Sequence, residues 1–228
     1  KESFNNVKYW IFDLDNTLLD GDSDYEWAQF LIEKGVISRQ KYERRNKEFL
    51  EAYEAGSLDI NQFLDFQLKP LSEHSRNQLN DWHDEFMQVK IDPMISNAAR
   101  QLVLQFKDEL IAIVTATNSF ITGPIAREFG IEHLIATDLE EQGGEFTGRS
   151  VGEPSFKNGK VTRVNAWLND MGLSFDEFEE TLFFSDSIND LPLLEIVQKP
   201  VAVNPDPKLL SYAMKNNWDI LHLHPRKK

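Results

Sequence analysis

The sequence predicts an α/β fold: a doubly wound parallel sheet whose first strand is followed by an all-helical insert. Three observations lead there. Short β-branched and aromatic runs alternate with segments of helical periodicity through the second half of the chain. Between residues 22 and 90 that alternation stops, and Glu, Lys, Gln and aromatic residues recur at helical spacing. The major apolar runs end in Asp, Asn, Ser or Thr, at the edge where a parallel sheet opens its ligand crevice.

The elements follow in order. Val7-Lys8-Tyr9-Trp10-Ile11-Phe12 reads as a buried strand ending in a loop. In the insert, Tyr25, Trp27, Phe30 and Leu31, and later Phe63, Phe66 and Leu68, keep helical spacing. Gly35, Gly56-Ser57 and Pro70 punctuate about four helices with no strand among them. A helix over 94–107 then leads to a strand at 110–114, and a helix over 119–129 to a short strand at 134–137. Residues 139–153, with Gly143-Gly144 between polar arms, suggest a hairpin. Helix 161–171, strand 181–185, helix 191–197, strand 201–203 and helix 207–216 complete the alternation. Right-handed crossovers make such a sheet parallel. The α/β core therefore comprises 1–21 and 91–228, and the helical insert 22–90.

Composition narrows the function. At 41% hydrophobic and 27% charged, the 228 residues have ordinary globular chemistry. With no Cys, disulfide scaffolds, thiolate zinc sites and cysteine nucleophiles are excluded. A net charge of −14 repels nucleic acid and anionic lipid, yet leaves room for a small anionic substrate at a local positive site. The longest clean apolar run, 110–114, falls far short of the ~20 residues of a spanning helix. The opening Lys1-Glu2-Ser3-Phe4-Asn5-Asn6 shows no signal-peptide run, so a cytoplasmic protein is the expectation. Arg226-Lys227-Lys228 reads as a solvated tail. No oligomeric state is read from the sequence.

The strand ends carry the chemistry. Asp13-Leu14-Asp15-Asn16-Thr17 places two carboxylates where both reach the crevice, and close carboxylates repel unless they share a cation or a proton. Thr115-Ala116-Thr117-Asn118 offers a hydroxyl and small residues that leave backbone N–H groups free for an anion. Gly159-Lys160 sets an ammonium near a helix start. Ser185-Asp186-Ser187-Ile188-Asn189-Asp190 adds two more carboxylates. Taken singly, each is an ordinary turn, cap or surface residue. Their order along the chain is what gives them weight.

That order resembles the haloacid dehalogenase superfamily of phosphotransferases, which matches at Asp13-x-Asp15-x-Thr17 behind Trp10-Ile11-Phe12, Thr115, Lys160, and Ser185-Asp186-Ser187-x-x-Asp190. Ser185 and Ser187 stand where many members have Gly. The resemblance covers nearly the whole chain and implies a Rossmann-like core. The insert looks like the helical cap of the phosphoserine-phosphatase-like branch. It implies an Mg²⁺-dependent phosphatase in which Asp13 is the nucleophile that forms an aspartyl-phosphate. Asp15 is then the general acid and later the base. Asp13, Asp186 and the Asp15 carbonyl are the implied metal ligands, with Asp190 behind them. Thr115, the backbone at Ala116, and Lys160 are implied to hold the phosphoryl oxygens. Thr17 and Asn118 are orienting or purely structural.

The substrate is read from the insert. Asp22 lies nine residues after Asp13, the spacing at which phosphoserine phosphatases place a carboxylate against the substrate's ammonium; capping of a helix is the alternative role. Arg44-Arg45 is the candidate clamp for a substrate carboxylate, but the expected position near Leu58 is apolar. Of Tyr25, Trp27, Phe49, Tyr53, Phe63, Phe66, Trp82 and Phe86, most belong to the insert's core and one or two could stack on a flat group. An amine and a flat ring without a carboxylate fit L-histidinol phosphate, as in the histidinol-phosphatase-like group. Phosphoserine, transfer to a non-water acceptor, and a receiver-like phospho-Asp signalling module are the competing expectations. In receiver domains, however, the acidic pair lies on a different strand end from the acceptor.

Overall fold

The computed structural model describes residues 8–224. Val7, the opening residues 1–6 and the basic end Arg226-Lys227-Lys228 lie outside the described residues. A seven-stranded sheet forms the centre, in the order β4-β3-β2-β1-β5-β6-β7. Its strands are β1 (Lys8–Phe12), β2 (Leu110–Asn118), β3 (His133–Gln142), β4 (Glu145–Val151), β5 (Glu180–Ser185), β6 (Lys199–Val203) and β7 (Asp219–Leu221). All neighbours are parallel except the β3–β4 pair. The fold is the expected doubly wound α/β architecture.

β1 is apolar along most of its length because it lies inside the sheet, where both faces are covered. Phe12 pairs with Ile113 on one side and Phe184 on the other. Alternation along the strand sends its side chains into two cores. Tyr9 and Ile11 pack with Val164, Leu168, Leu193 and Leu209 of α7 (Asn158–Asp170), α8 (Leu191–Leu194) and α9 (Pro207–Lys215). Trp10 and Phe12 join the opposite cluster, and the Phe12 ring stacks on Phe184 at 4.6 Å. That second cluster runs on into the insert through Trp27, Phe30, Leu64, Leu79 and Phe86, so sheet and insert share one continuous apolar interior.

The insert holds α1 (Ser23–Glu33), α2 (Arg39–Glu54), α3 (Ile60–Ser72) and α4 (Arg76–Phe86), with no strand among them. Each begins at a side-chain cap: Asp22, Ser38, Asp59 and Ser75 accept a bond from the backbone of the first turn. Gly35 and Gly56, both at φ 73°, supply the left-handed turn after α1 and α2. Pro70 does not end α3; it sits inside the last turn.

Other boundaries move in interpretable ways. β2 continues to Asn118 instead of stopping at 114, because Thr115, Ala116 and Thr117 stay extended. The hairpin forms as expected, with Gly143 and Gly144 at φ 60° and 83°. The helix expected from 94 begins at Asn97, capped by Ser96, as α5 (Asn97–Leu104), after a short tight turn at Asp92–Met94. α6 (Ser119–Glu128) follows β2 directly. β7 was not anticipated, since three residues carry no period. No helix among the described residues is long and apolar enough to cross a membrane.

The start of α7 is the tightest junction. A Cβ on Gly159 would lie 2.0 Å from the Pro154 carbonyl oxygen. Gly159→Ala must therefore push α7 away from the 153–156 loop. The expected cost is about 1–3 kcal/mol of folding stability, read by urea denaturation; an unchanged midpoint would show that the junction gives way freely.

Candidate active site

Asp13 continues β1 by one residue, its N–H donating to the Phe184 carbonyl at 2.9 Å, which keeps it in line with the sheet. The chain then coils tightly over Leu14–Leu18, with Asn16 in the left-handed region at φ 58°, where Asn is tolerated better than most residues. This coil returns the Thr17 hydroxyl to the strand end. It lies 3.2 Å from Asp13 Oδ2 and 3.1 Å from Asp186 Oδ1, so one hydroxyl proton serves two carboxylates. From the start of α7, Lys160 Nζ reaches Asp13 Oδ1 at 2.9 Å and Asp190 Oδ2 at 3.0 Å. Ser185 Oγ donates to Asp190 Oδ2 at 2.6 Å. Side chains from three separate segments thus meet at one point, with Lys160 only 3% exposed.

Asp15 faces the other way. Its carboxylate accepts the Ser23 N–H and the Thr117 hydroxyl, both at 2.7 Å. Burial, and then the charge of Asp22, push its pKa up to about 6, although those hydrogen bonds pull it back. Burial also raises Asp186 well above the carboxylate range, with Asp13 adding to the effect. It raises Asp190 too, against the pull of the Lys160 ammonium. For Lys160, burial opposes the charge, but Asp13 and Asp190 outweigh it and hold the pKa above the usual lysine value. Thr115 is buried, and its hydroxyl accepts from the Thr117 N–H at 3.2 Å, shaping the turn at the end of β2.

A cavity of about 480 Å³ lies over these groups and is bordered by Asp13, Asp15, Thr115, Ala116, Lys160, Asp186 and Asp190 on the sheet side. Asp22 does two things at once: it caps α1 by accepting the Tyr25 N–H at 2.9 Å, and it borders the cavity. Four candidates do not border it. Thr17 is fully buried beneath it, its hydroxyl on Asp13 and Asp186. Asn118 caps α6 by accepting the Ile121 N–H at 3.1 Å. Arg45 pairs with Glu48 and folds over the Phe49 ring, 4.5 Å from its centre. Arg44 is exposed, and neither arginine borders the cavity. Leu58 does border it, and Lys160 is the only Lys or Arg that does so among the described residues.

Several neighbours were not singled out from sequence. Thr117 and Ser185 sit inside strings already noted, so their signal was present but unassigned. Ser23 contributes a backbone N–H, which no residue type announces. His224 Nε2 lies 2.8 Å from the Thr17 carbonyl, and Tyr53 from α2 shares a 2.8 Å hydrogen bond with Ser187. Tyr53 stands among the aromatic candidates of the insert, but its bond to Ser187 and the reach of His224 carry no signal, because each acts across a long separation in sequence.

The donor set suits a hard divalent ion. Asp13 and Asp186 converge on the Thr17 hydroxyl. No three carboxylate or imidazole side chains among the described residues form a closed metal cluster. Mg²⁺ does not need one, since it takes one or two carboxylates and fills its octahedron with water and substrate oxygen.

Comparison with known proteins gives the family and the fold. The haloacid dehalogenase-like hydrolase family model matches residues 10–195. A histidinol-phosphatase from Neisseria meningitidis is 44% identical over 215 residues, covering 93% of this chain and 97% of that protein. A crystal structure from Bordetella pertussis, described as a protein of unknown function, superposes with a TM-score of 0.91 at 46% identity, covering 96% of this chain and all of that one. A substrate-bound phosphoserine phosphatase has a TM-score of 0.67 at 19% identity, covering 96% and 94%, which speaks for the fold.

The crowded carboxylates make stability depend on pH. A carboxyl whose folded pKa is raised binds its proton more tightly in the native state, so folding is favoured at low pH and loses stability as pH rises through that window. For Asp15 the window runs from about 4 in the unfolded chain to about 6 in the folded one. The metal-free protein should therefore melt higher at pH 5 than at pH 7.5. Asp15→Asn should remove part of the difference; an unaltered slope in that variant would deny Asp15 its raised pKa.

Proposed function

The chain belongs to the haloacid dehalogenase-like hydrolase family and is a phosphatase, and from that premise we propose a reaction, a cofactor and a substrate. It hydrolyses a small amine-bearing phosphomonoester, L-histidinol phosphate, through an aspartyl-phosphate on Asp13, with Mg²⁺ as cofactor. One observation carries the reaction. Asp13, held by Lys160 at the floor of the cavity, has within two residues a carboxyl with a pKa of about 6.

In the first step an Asp13 oxygen attacks phosphorus, the ester P–O bond breaks, and the Asp15 carboxyl gives its proton to the leaving alkoxide. In the second, Asp15 takes a proton from water as that water attacks phosphorus. The acyl phosphate's P–O bond breaks, and the Asp13 carboxylate is regenerated with free phosphate. The Thr117 hydroxyl and Ser23 N–H hold the Asp15 carboxyl in position for both transfers. Lys160 and the backbone around Thr115 and Ala116 face the charge that gathers on the phosphoryl oxygens. Asp13 and Asp186 would hold Mg²⁺, which when bound offsets the repulsion between carboxylates and phosphate. Placing Asp15 so near Asp13 favours turnover over a long-lived signalling phosphate.

For the substrate, the insert's wall is acidic at Asp22 and Asp24, apolar at Leu58, and carries no guanidinium. Phosphoserine would bring a carboxylate with no Lys or Arg at the cavity to meet it beyond Lys160, among the described residues. An amine without a carboxylate meets the wall's chemistry, in keeping with the N. meningitidis relative.

Asp15→Asn should release a burst of about one equivalent of p-nitrophenol per site from p-nitrophenyl phosphate, whose leaving group needs no proton. Turnover should then fall by about 10²–10⁴-fold for want of a base. Rapid-mix absorbance measures it, and undiminished steady turnover would remove Asp15 from the reaction. Asp13→Asn should give neither burst nor turnover. EDTA should stop the native enzyme and Mg²⁺ restore it. In titrations of activity, Asp186→Asn should need at least about tenfold more Mg²⁺; full activity after thorough chelation would dismiss the metal.

A further inference from the structure

Asp24 is a buried carboxylate that the reaction above does not use. It is 8% exposed, borders the cavity, and has no hydrogen-bond partner among the described residues. Its neighbours are acids: burial raises its pKa well above the carboxylate range, and Asp22 and Asp15 raise it further. Asp22, by contrast, already spends one oxygen on capping α1. A carboxylate that no protein group engages keeps its full capacity to accept hydrogen bonds from a ligand. Here both oxygens of Asp24 stand free at the wall where the leaving group must lie.

The surroundings say what would meet it. Phe49, Phe63, Tyr53 and Phe156 border the same cavity, so the space that Asp24 faces suits a flat ring. Asp22 is placed to take an ammonium, and a second acid beside it calls for a second donor. We infer that Asp24 is a specificity-determining residue that accepts an N–H from a nitrogen-bearing ring on the leaving group, separately from the amine taken by Asp22. The inference rests on the proposed amine-bearing phosphomonoester and sharpens it: the site reads two nitrogen groups. A site built around a buried acceptor strongly rejects an analogue that lacks the donor. An ordinary alternative is that Asp24, in the first turn of α1, complements the helix dipole. That role would affect every substrate alike.

The test compares kcat/KM of the native enzyme and Asp24→Asn on L-histidinol phosphate, phosphoethanolamine and p-nitrophenyl phosphate. These carry amine plus ring nitrogen, amine alone, and neither. The native enzyme should prefer L-histidinol phosphate over phosphoethanolamine, and Asp24→Asn should erase at least tenfold of that preference. If the native enzyme prefers both amines to the aryl ester but Asp24→Asn keeps the ratio between them, the Asp24 assignment falls and the amine reading stands. If neither amine is preferred, both fall together. A second measurement needs no variant. L-histidinol should inhibit the native enzyme competitively at concentrations at least tenfold lower than L-leucinol, which keeps the amino alcohol and replaces the ring with an alkyl group. Equal inhibition would overturn the proposal.

Discussion

The site depends on one buried ammonium. Lys160 Nζ bridges Asp13, at the end of β1, and Asp190, beyond the end of β5, at 2.9 and 3.0 Å. It thereby ties α7 to the two central strands of the sheet. Without it two buried carboxylates would face each other with no cation between them. Breaking a buried pair by removing one partner typically costs about 3–5 kcal/mol, because the other charge is left uncompensated. Ser185 completes the arrangement by bonding Asp190, which fixes the far end of the bridge. A glycine at 159 is what lets α7 start close enough to the Pro154 carbonyl for Lys160 to make the reach.

That ammonium does not balance the cavity. Asp13, Asp15, Asp22, Asp24, Asp186 and Asp190 all border it, as does Asp206, against Lys160 as its only Lys or Arg among the described residues. Burial first, and the neighbouring acids with it, raises the pKa of five of those acids. In a working complex the relief has to come from cations. The surplus has two poles: Asp13 and Asp186 over the sheet, and Asp22 and Asp24 on the insert. A phosphate ester with a cationic tail, arriving with a divalent ion, matches both poles. The same acidity that makes the whole chain −14 thus becomes compatible with an anionic reacting group.

The chemistry at the sheet was readable because of how parallel sheets are built. Residues just past the strands converge on one edge however far apart they lie in sequence, so Asp13, Thr115 and Asp186 could be grouped before any coordinates. The alternation of strand and helix was readable for the same reason, and the structure carries it. What escaped notice lacked a side-chain signature. The Ser23 N–H on Asp15 is a backbone group, β7 is three residues long, and His224 reaches Thr17 from the other end of the chain. Thr117 escaped because β2 runs on from 114 to 118, which turned an expected loop residue into a partner for Asp15.

The insert was harder to read, and α2 shows why. A helix shows a ligand only the residues on one face, and composition does not say which face that is. Asn46, Phe49, Leu50 and Tyr53, at spacings of three and four, share the side turned to the cavity. Arg45 sits at the edge of that stripe, where Glu48 and the Phe49 ring hold its guanidinium, and Arg44 points to solvent. A cationic pair next to the site in sequence is therefore absent from it in space. The consequence is chemical as well as geometric. With the guanidinium groups turned away and Leu58 on the wall, the insert leaves nothing to neutralise a substrate carboxylate, while Asp22 and Asp24 remain to receive nitrogen. On the proposed reading, specificity rests on which side of α1 and α2 faces inward, and catalysis on residues the sheet would present in any rotation of those helices.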